Sequence, residues 1–273
     1  MFKNFAIACF AGVSQAIELL GRSALLQSIN AQDSAGQSYT CTSTNDMLRD
    51  ELQDFDAILA AGEPFTDMEF RHNENAIYWA SMGEVRPKSD EVTWMRASDA
   101  AQSSLYTGQH LFGSSGATPN DVRQGSLGNC WFLSAASSIA EVPGRLEKVF
   151  INQDADLNPA DIYAVNFYNL GVKTSVVVDD WLPMKEYGNG EFGTFFAKVG
   201  KNDSLWTSIL EKSFAKYYGN YGHIIGGSTL LAIQTMTGAP YAQYDFPLDS
   251  DQLFNLMTTH DANNDIMNSG TQN

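Results

Sequence analysis

Gln124-Gly125-Ser126-Leu127-Gly128-Asn129-Cys130-Trp131-Phe132-Leu133 runs from a glycine-rich turn straight into an apolar period, and its reading decides the fold. Phe132, Leu133, Ala136, Ile139 and Ala140 recur at three- and four-residue spacing and Pro143-Gly144 supplies a stop, so the pattern predicts a helix beginning at Cys130. The first N–H groups of a helix have no partner inside it and carry partial positive charge, which favours a thiolate over a thiol there. Gly125 and Gly128 permit a tight turn and leave the space above the sulfur open to a substrate backbone. Gln124, folded back by that turn, can donate a hydrogen bond beside the Cys130 N–H, and two such donors make an oxyanion hole for acyl transfer. A lone helical cysteine is most often a small buried hydrophobe. The glycines, the amide and the aromatic residue after the sulfur argue instead for a nucleophile.

The chain's 273 residues fit a globular protein with one large or two small domains. Lys and Arg number 16 against 32 Asp and Glu, a formal charge of −16, so the surface repels phosphate backbones and a nucleic-acid partner is not expected. The acid is concentrated from Asp33 to Glu69 and from Asp245 onward, where a solvated face is the simpler reading. Lys3, an apolar run from Phe5 to Val13 and the small residues Ser14-Gln15-Ala16 have the layout of a secretory signal cleaved after Ala16. The competing reading is an amphipathic helix continued by Ile17, Leu19, Leu20 and Leu25. The run is too short to span a bilayer, so no stable membrane span is expected. Residues 30–62 are rich in Ser, Thr, Gln and Asp and read as a linker or lead-in. A short helix capped by Thr44 or Asn45, with Leu48, Leu52, Phe55 and Leu59 on one stripe, closes it.

Downstream, Tyr163, Val165 and Phe167 alternate along one strand and Ser175 to Val178 read as another. Asp179-Asp180 read as loop caps because Trp181-Leu182-Pro183 would turn the chain. A helix from Ser204 to Tyr218 is expected to bury Leu205, Trp206, Ile209, Leu210, Phe214 and Tyr217 and to turn Glu211, Lys212 and Lys216 outward. Helices follow from Ser228, as cap, to Thr237 and from near Asp249 with Leu253, Phe254, Leu256 and Met257. Of the three cysteines, Cys9, Cys41 and Cys130, the last is expected to be a free thiol.

The segment around Cys130 resembles the nucleophile segment of the calpain family of papain-like cysteine proteases. The likeness continues through Pro64-Phe65-Thr66-Asp67-Met68-Glu69-Phe70, Trp94-Met95-Arg96, Val176 to Pro183, Leu205-Trp206 to Lys216, and Gly226-Gly227-Ser228-Thr229, in the family's order. It implies an α+β, papain-like fold whose first lobe is complete, with its central helix starting at Cys130, and whose second lobe is truncated. The domain reading is 1–16 signal, 17–62 lead-in and 63–273 protease region, incomplete at its C-terminus. The implied activity is calcium-dependent cysteine endopeptidase, with Cys130 and Gln124 catalytic and a protein or peptide as substrate. Such chemistry needs a histidine base and a group to orient it. The family's His and Asn lie in segments beyond those matched, and His72, His110, His223 and His260 read as surface or structural. A catalytically silent, protein-binding module is the alternative, and an uncovered second lobe would invite a partner chain. Asn129 stands where the family commonly carries Asp, which removes a charge and keeps hydrogen bonding.

Calcium takes oxygen ligands, and the resemblance points to the Gly116 carbonyl, Asp121 and Asp203, the last beside Ser204 where an acidic residue is expected. The run Asp261-Ala262-Asn263-Asn264-Asp265 starts like an EF-hand loop but has Ile266 and Gln272 where Gly and Glu are needed, so it is rejected. Localisation is cytoplasmic by resemblance, or secreted if residues 1–16 are a signal.

Overall fold

The computed structural model describes residues 29–32, 38–41, 55–77, 91–100, 110–169, 171–244 and 249–269. The chain divides into two units, Met1–Gln53 and Asp54–Asn273. In the first, β1 (Ile29–Gln32) pairs antiparallel with β2 (Ser38–Cys41), Ile29 opposite Cys41. The polar lead-in therefore contains a short ladder, in line with the β-branched and aromatic content of Ile29, Tyr39 and Thr40. The signal reading of residues 1–16, Cys9, and the cap and stripe residues Thr44, Asn45, Leu48 and Leu52 lie outside the described residues.

The second unit mixes helix and sheet, as an α+β chain should. Its main elements are β3 (Thr93–Arg96), α1 (Cys130–Ile139), β4 (Ile162–Asn169), β5 (Val172–Asp179), β6 (Trp181–Glu186), β7 (Phe192–Thr194), α2 (Trp206–Tyr218), α3 (Thr229–Thr237) and α4 (Ser250–Ala262). Strands β4 and β5 form a two-stranded hairpin from Ile162↔Asp179 to Asn169↔Val172. Strands β3, β6 and β7 form a separate antiparallel sheet in that order. Both hairpin strands run longer than their apolar alternation suggested. The reason is that the hairpin is covered twice: Ile162, Ala164 and Val177 pack on Phe55, Ile58 and Leu59 of a helical stretch at 55–61, while Phe167 on the other face meets Phe214 of α2 at 5.5 Å. Burying such side chains contributes roughly 1.5–3 kcal/mol each. In α1, Phe132 stacks on Phe214 at 4.3 Å and Trp131 meets the same ring at 5.5 Å, which fixes α1 against α2.

Helix α2 departs from its hydropathy. Glu211, Lys212 and Lys216, expected outside, are 2%, 0% and 9% exposed. Each has a distant partner that makes burial tolerable. The Lys212 ammonium donates to the Asp179 carboxylate, to the Asp179 carbonyl at 3.1 Å and to the Trp181 carbonyl at 2.7 Å. The Lys216 ammonium donates to Asp67 Oδ2 and to the Val177 carbonyl, both at 2.9 Å. Asp179 Oδ2 also accepts from the Asp67 N–H at 2.7 Å and bonds His72 Nε2 at 2.9 Å, and its Oδ1 accepts from the Trp181 N–H at 3.0 Å. Burial alone would raise the Asp179 carboxyl, but Lys212 and His72 override it and hold it well below the ordinary carboxylate range.

The aspartate pair is thus more than a loop cap. Asp180 takes the Arg96 guanidinium at 2.6 Å and the Ala97 N–H at 3.0 Å, and Arg96 reaches on to the Phe65 carbonyl at 2.7 Å. Burial outweighs Arg96 and leaves the Asp180 carboxyl raised. Nor does Trp181-Leu182-Pro183 turn the chain away: it is the start of β6, and Asp180 marks the point where the backbone leaves one sheet for the other. His72 stacks on Trp181 at 4.7 Å and 17°, and the Arg96 guanidinium carbon lies 5.4 Å from the centre of the same indole. Together these contacts tie residues 65–72 and β3 to the end of β5.

Ser228 stands at the N-cap of α3, but its hydroxyl makes no capping bond. Asp249 does cap α4, accepting the Asp251 N–H at 2.8 Å. Helix α4 buries none of its residues, and Phe254 and Met257 are 67% and 51% exposed. Among the described residues no helix is long and apolar enough to cross a membrane.

Candidate active site

The turn that leads into Cys130 is laid along the backbone that leaves β7. The Ser126 N–H donates to the Phe195 carbonyl at 3.1 Å, and the Lys198 N–H donates to the Arg123 carbonyl at 2.8 Å. A Cβ on Gly125 would overlap the Phe196 carbonyl oxygen, so only glycine fits this crossing. The Asn129 carbonyl accepts the Phe132 and Leu133 N–H groups at 3.0 and 3.1 Å, which opens α1 with Cys130 as its first residue. Cys130 is a free, exposed cysteine. The sulfur therefore sits where the first, unshared N–H groups of a helix emerge.

Gln124 is exposed on the same turn, and its Nε2 donates to the Leu127 carbonyl at 2.6 Å. A primary amide has two hydrogens. One is spent in bracing the turn, and the other is not used in that bond. The second wall of the turn is the loop after α2. The Trp131 indole N–H donates to the Ile224 carbonyl at 2.8 Å, the Gly226 N–H donates to the Gly128 carbonyl at 2.9 Å, and a Cβ on Gly227 would run into the indole. The Gly226-Gly227 pair is thereby fastened beside Cys130's turn.

Below the turn lies a residue that the helical period disguised. Glu211 Oε1 accepts from Asn129 Nδ2 at 2.7 Å and Oε2 accepts from the Ala197 N–H at 2.9 Å. Burial pushes this carboxyl up to about 7, against the Ala197 N–H, the Asn129 amide and the Lys198 charge, which pull it down. Asn129 does not cap α1 with its side chain; it spends that side chain on Glu211. The only sequence signal for this was Leu210-Glu211-Lys212 in the run that resembles the family.

The four histidines are engaged elsewhere. His72 bonds Asp179, His110 Nδ1 bonds Asp156 Oδ1 at 2.6 Å, and His260 Nδ1 bonds Asp265 Oδ2 at 2.7 Å. His223 Nδ1 lies 2.6 Å from the Tyr218 carbonyl, which can only accept, so that nitrogen carries the hydrogen.

The three residues expected to bind calcium are only partly brought together. Asp121 is buried, and its Oδ2 accepts the Thr118 N–H at 2.8 Å, the Thr118 hydroxyl at 2.9 Å and the Trp206 indole N–H at 3.3 Å. Gly116 adopts φ +71° against Glu147, whose Oε1 accepts the neighbouring Ala117 N–H at 3.0 Å. Asp203 is exposed, and its backbone bonds Gly200 and His110. Among the described residues no three His, Cys, Asp or Glu side chains converge. Asp121 Oδ1, Glu147 Oε2 and Ser204 Oγ are buried without hydrogen-bond partners among the described residues, and these are hard oxygen donors of the kind calcium takes. Glu147, unforeseen in the sequence, is the carboxylate that faces Gly116.

The family model described as calpain family cysteine protease matches residues 65–273. A calpain-type cysteine protease of Zea mays is 36% identical over 199 residues, covering 72% of this chain and 9% of that protein. Calpain-8 of Rattus norvegicus is 30% identical and the calpain-2 catalytic subunit of Homo sapiens 31% identical, each over 210 residues, 75% of this chain and 28% of the relative. The chain thus spans less than a third of the length of each of these relatives.

Proposed function

The chain belongs to the calpain family of cysteine proteases, and from that premise we propose that it hydrolyses peptide bonds with Cys130 as nucleophile. One observation carries the reading: an exposed, free cysteine opens a helix at the end of a turn that admits only glycine at its tightest crossing. The thiolate attacks the scissile carbonyl carbon. The oxygen that becomes negative receives the Cys130 backbone N–H and the second amide hydrogen of Gln124, whose first is held by Leu127. Gly128 and Gly226-Gly227 leave room for an extended polypeptide across the turn.

The thiol proton and the leaving amine require a base, which the resemblance assigns to a histidine other than His72, His110, His223 and His260. In this reading residues 63–273 are the papain-like protease region, α1 is the central helix of its first lobe, and α3 and α4 start the second. Calcium, as the hard cation the family implies, would be held by Asp121 and the Gly116 carbonyl with Glu147 in place of Asp203, on the strength of the buried oxygens there. Its contribution would be to order the loop that precedes the nucleophile turn.

The test is labelling with a thiol-reactive peptidyl probe followed by mass spectrometry. Cys130 is expected to react far faster than free cysteine, and Cys130→Ala to abolish the label. The second reading, a silent protein-binding module, draws on the engagement of all four histidines elsewhere. It requires Cys130 to label no faster than free cysteine, and that result would remove the protease reading for this chain.

A further inference from the structure

We infer that Glu211 is a positioning residue for Cys130, acting through Asn129, and that the hydrogen bond between the two reverses direction when the carboxyl takes up a proton. The inference rests on the reading of Cys130 as nucleophile. As a carboxylate, Glu211 is acceptor-only, and both its partners are donors: Asn129 Nδ2 and the Ala197 N–H. Asn129 Oδ1 is buried beside this pair and has no partner among the described residues. A proton arriving from solvent turns one carboxyl oxygen into a donor, and the acceptor at hand is that orphaned Oδ1, presented by a half-turn of the Asn129 amide. No other bond forms or breaks. An amide at position 129 can thus serve either state of the carboxyl, while its backbone carbonyl keeps holding the first turn of α1.

Burial places this proton exchange near neutrality. Charged and titratable neighbours facing the carboxyl are Lys198 from the segment after β7 and Tyr221 from the turn after α2, while Lys212 on the same helix is drawn to Asp179. The link from Glu211 to the start of α1 is the Asn129 side chain, whose own backbone carbonyl holds the Phe132 and Leu133 N–H groups.

The experiment uses the full chain in two measurements. The Asn129 side-chain amide resonances, followed in ¹⁵N-labelled protein, are expected to titrate with a midpoint near 7. The rate of Cys130 alkylation by iodoacetamide, taken relative to free cysteine at the same pH, is expected to change by about threefold or more across that midpoint as the Asn129 amide turns. Glu211→Gln, which takes up no proton in this range, should abolish that change and leave the relative rate flat with pH. Asn129 amide signals that stay flat from pH 5.5 to 8.5 would overturn the inference without any variant, as would a Glu211→Gln curve superimposable on wild type. A Cys130 that alkylates no faster than free cysteine in both proteins counts against the nucleophile reading instead, and the Asn129 titration still decides the hydrogen-bond reversal.

Discussion

Replacing Lys212 by methionine isolates what the buried charges of α2 contribute. The methionine fills a similar volume but withdraws the ammonium from the Asp179 carboxylate and from the Asp179 and Trp181 carbonyls. Asp179 keeps the Asp67 and Trp181 N–H groups and His72, yet it remains fully buried with its main countercharge gone. Removing one partner of a buried pair costs about 3–5 kcal/mol, a large share of the 5–15 kcal/mol that holds a typical domain together. At about 2–4 °C per kcal/mol for a domain of this size, the midpoint of thermal unfolding should fall by roughly 6–20 °C. Exposed Lys201→Met serves as the control and should stay within about 0.5 kcal/mol of wild type. Adding Asp179→Asn to Lys212→Met removes the stranded charge and should recover part of the loss. Because folding depresses the Asp179 titration, its stabilisation is present above the ordinary carboxylate range and is lost as pH falls below it. Lys212→Met should therefore also flatten the acid limb of stability below about pH 4. A Lys212→Met protein that melts with the Lys201→Met control, or a double variant weaker than the single one, would refute the account of α2 as a helix held by paired charge.

Glu211 should impose the opposite pH dependence. Its folded carboxyl titrates at about 7 against an ordinary 4.5, so the folded state binds the proton more tightly between those values. Stability from this group therefore falls as pH rises from 4.5 to 7, by up to about 3 kcal/mol; urea unfolding across that range should show the slope in wild type and lose it in Glu211→Gln. Gly125→Ala forces a Cβ into the Phe196 carbonyl and should cost about 1–3 kcal/mol with loss of Cys130 labelling, whereas Gly128→Ala, whose nearest neighbour is Ile225 Cγ2 at 3.5 Å, should leave the melting midpoint nearly unchanged. Equal midpoints for the two would contradict the packing described for the turn. Arg96→Met removes the donors to Asp180 and to the Phe65 carbonyl, so hydrogen exchange at the Asp67 and Phe70 amides should speed up while that of α1 does not.

The sequence makes the start of α1 legible because a glycine turn, a cysteine and an apolar period coincide within a few residues, and each of those signals is local. The strands β4 and β5 are legible in kind but short in extent, since alternation underestimates a hairpin packed on both faces. The charges of α2 were misread for a physical reason. Hydropathy assigns Glu211, Lys212 and Lys216 to water because it prices a charge alone, and their partners lie far off in the chain: Asp67 is 149 residues from Lys216 and Asn129 is 82 from Glu211. No periodicity contains that information. Gly125 could be read as a glycine that needed to be one, but its constraint, the Phe196 carbonyl, exists only once β7 has been laid beside the turn. Likewise Gln124 is placed on the expected turn by its sequence position, but the commitment of one of its hydrogens to Leu127 depends on how that turn folds.

The indole of Trp181, held between the imidazole of His72 and the guanidinium of Arg96, gives the protein an internal optical gauge. Its emission depends on the ring stacked upon it, and that ring belongs to the strap at residues 65–72. Loosening of the strap, by heat, acid or a bound ligand, would be visible as a change in tryptophan brightness with no label attached, so the seating of the region's leading segment can be timed separately from chemistry at the sulfur.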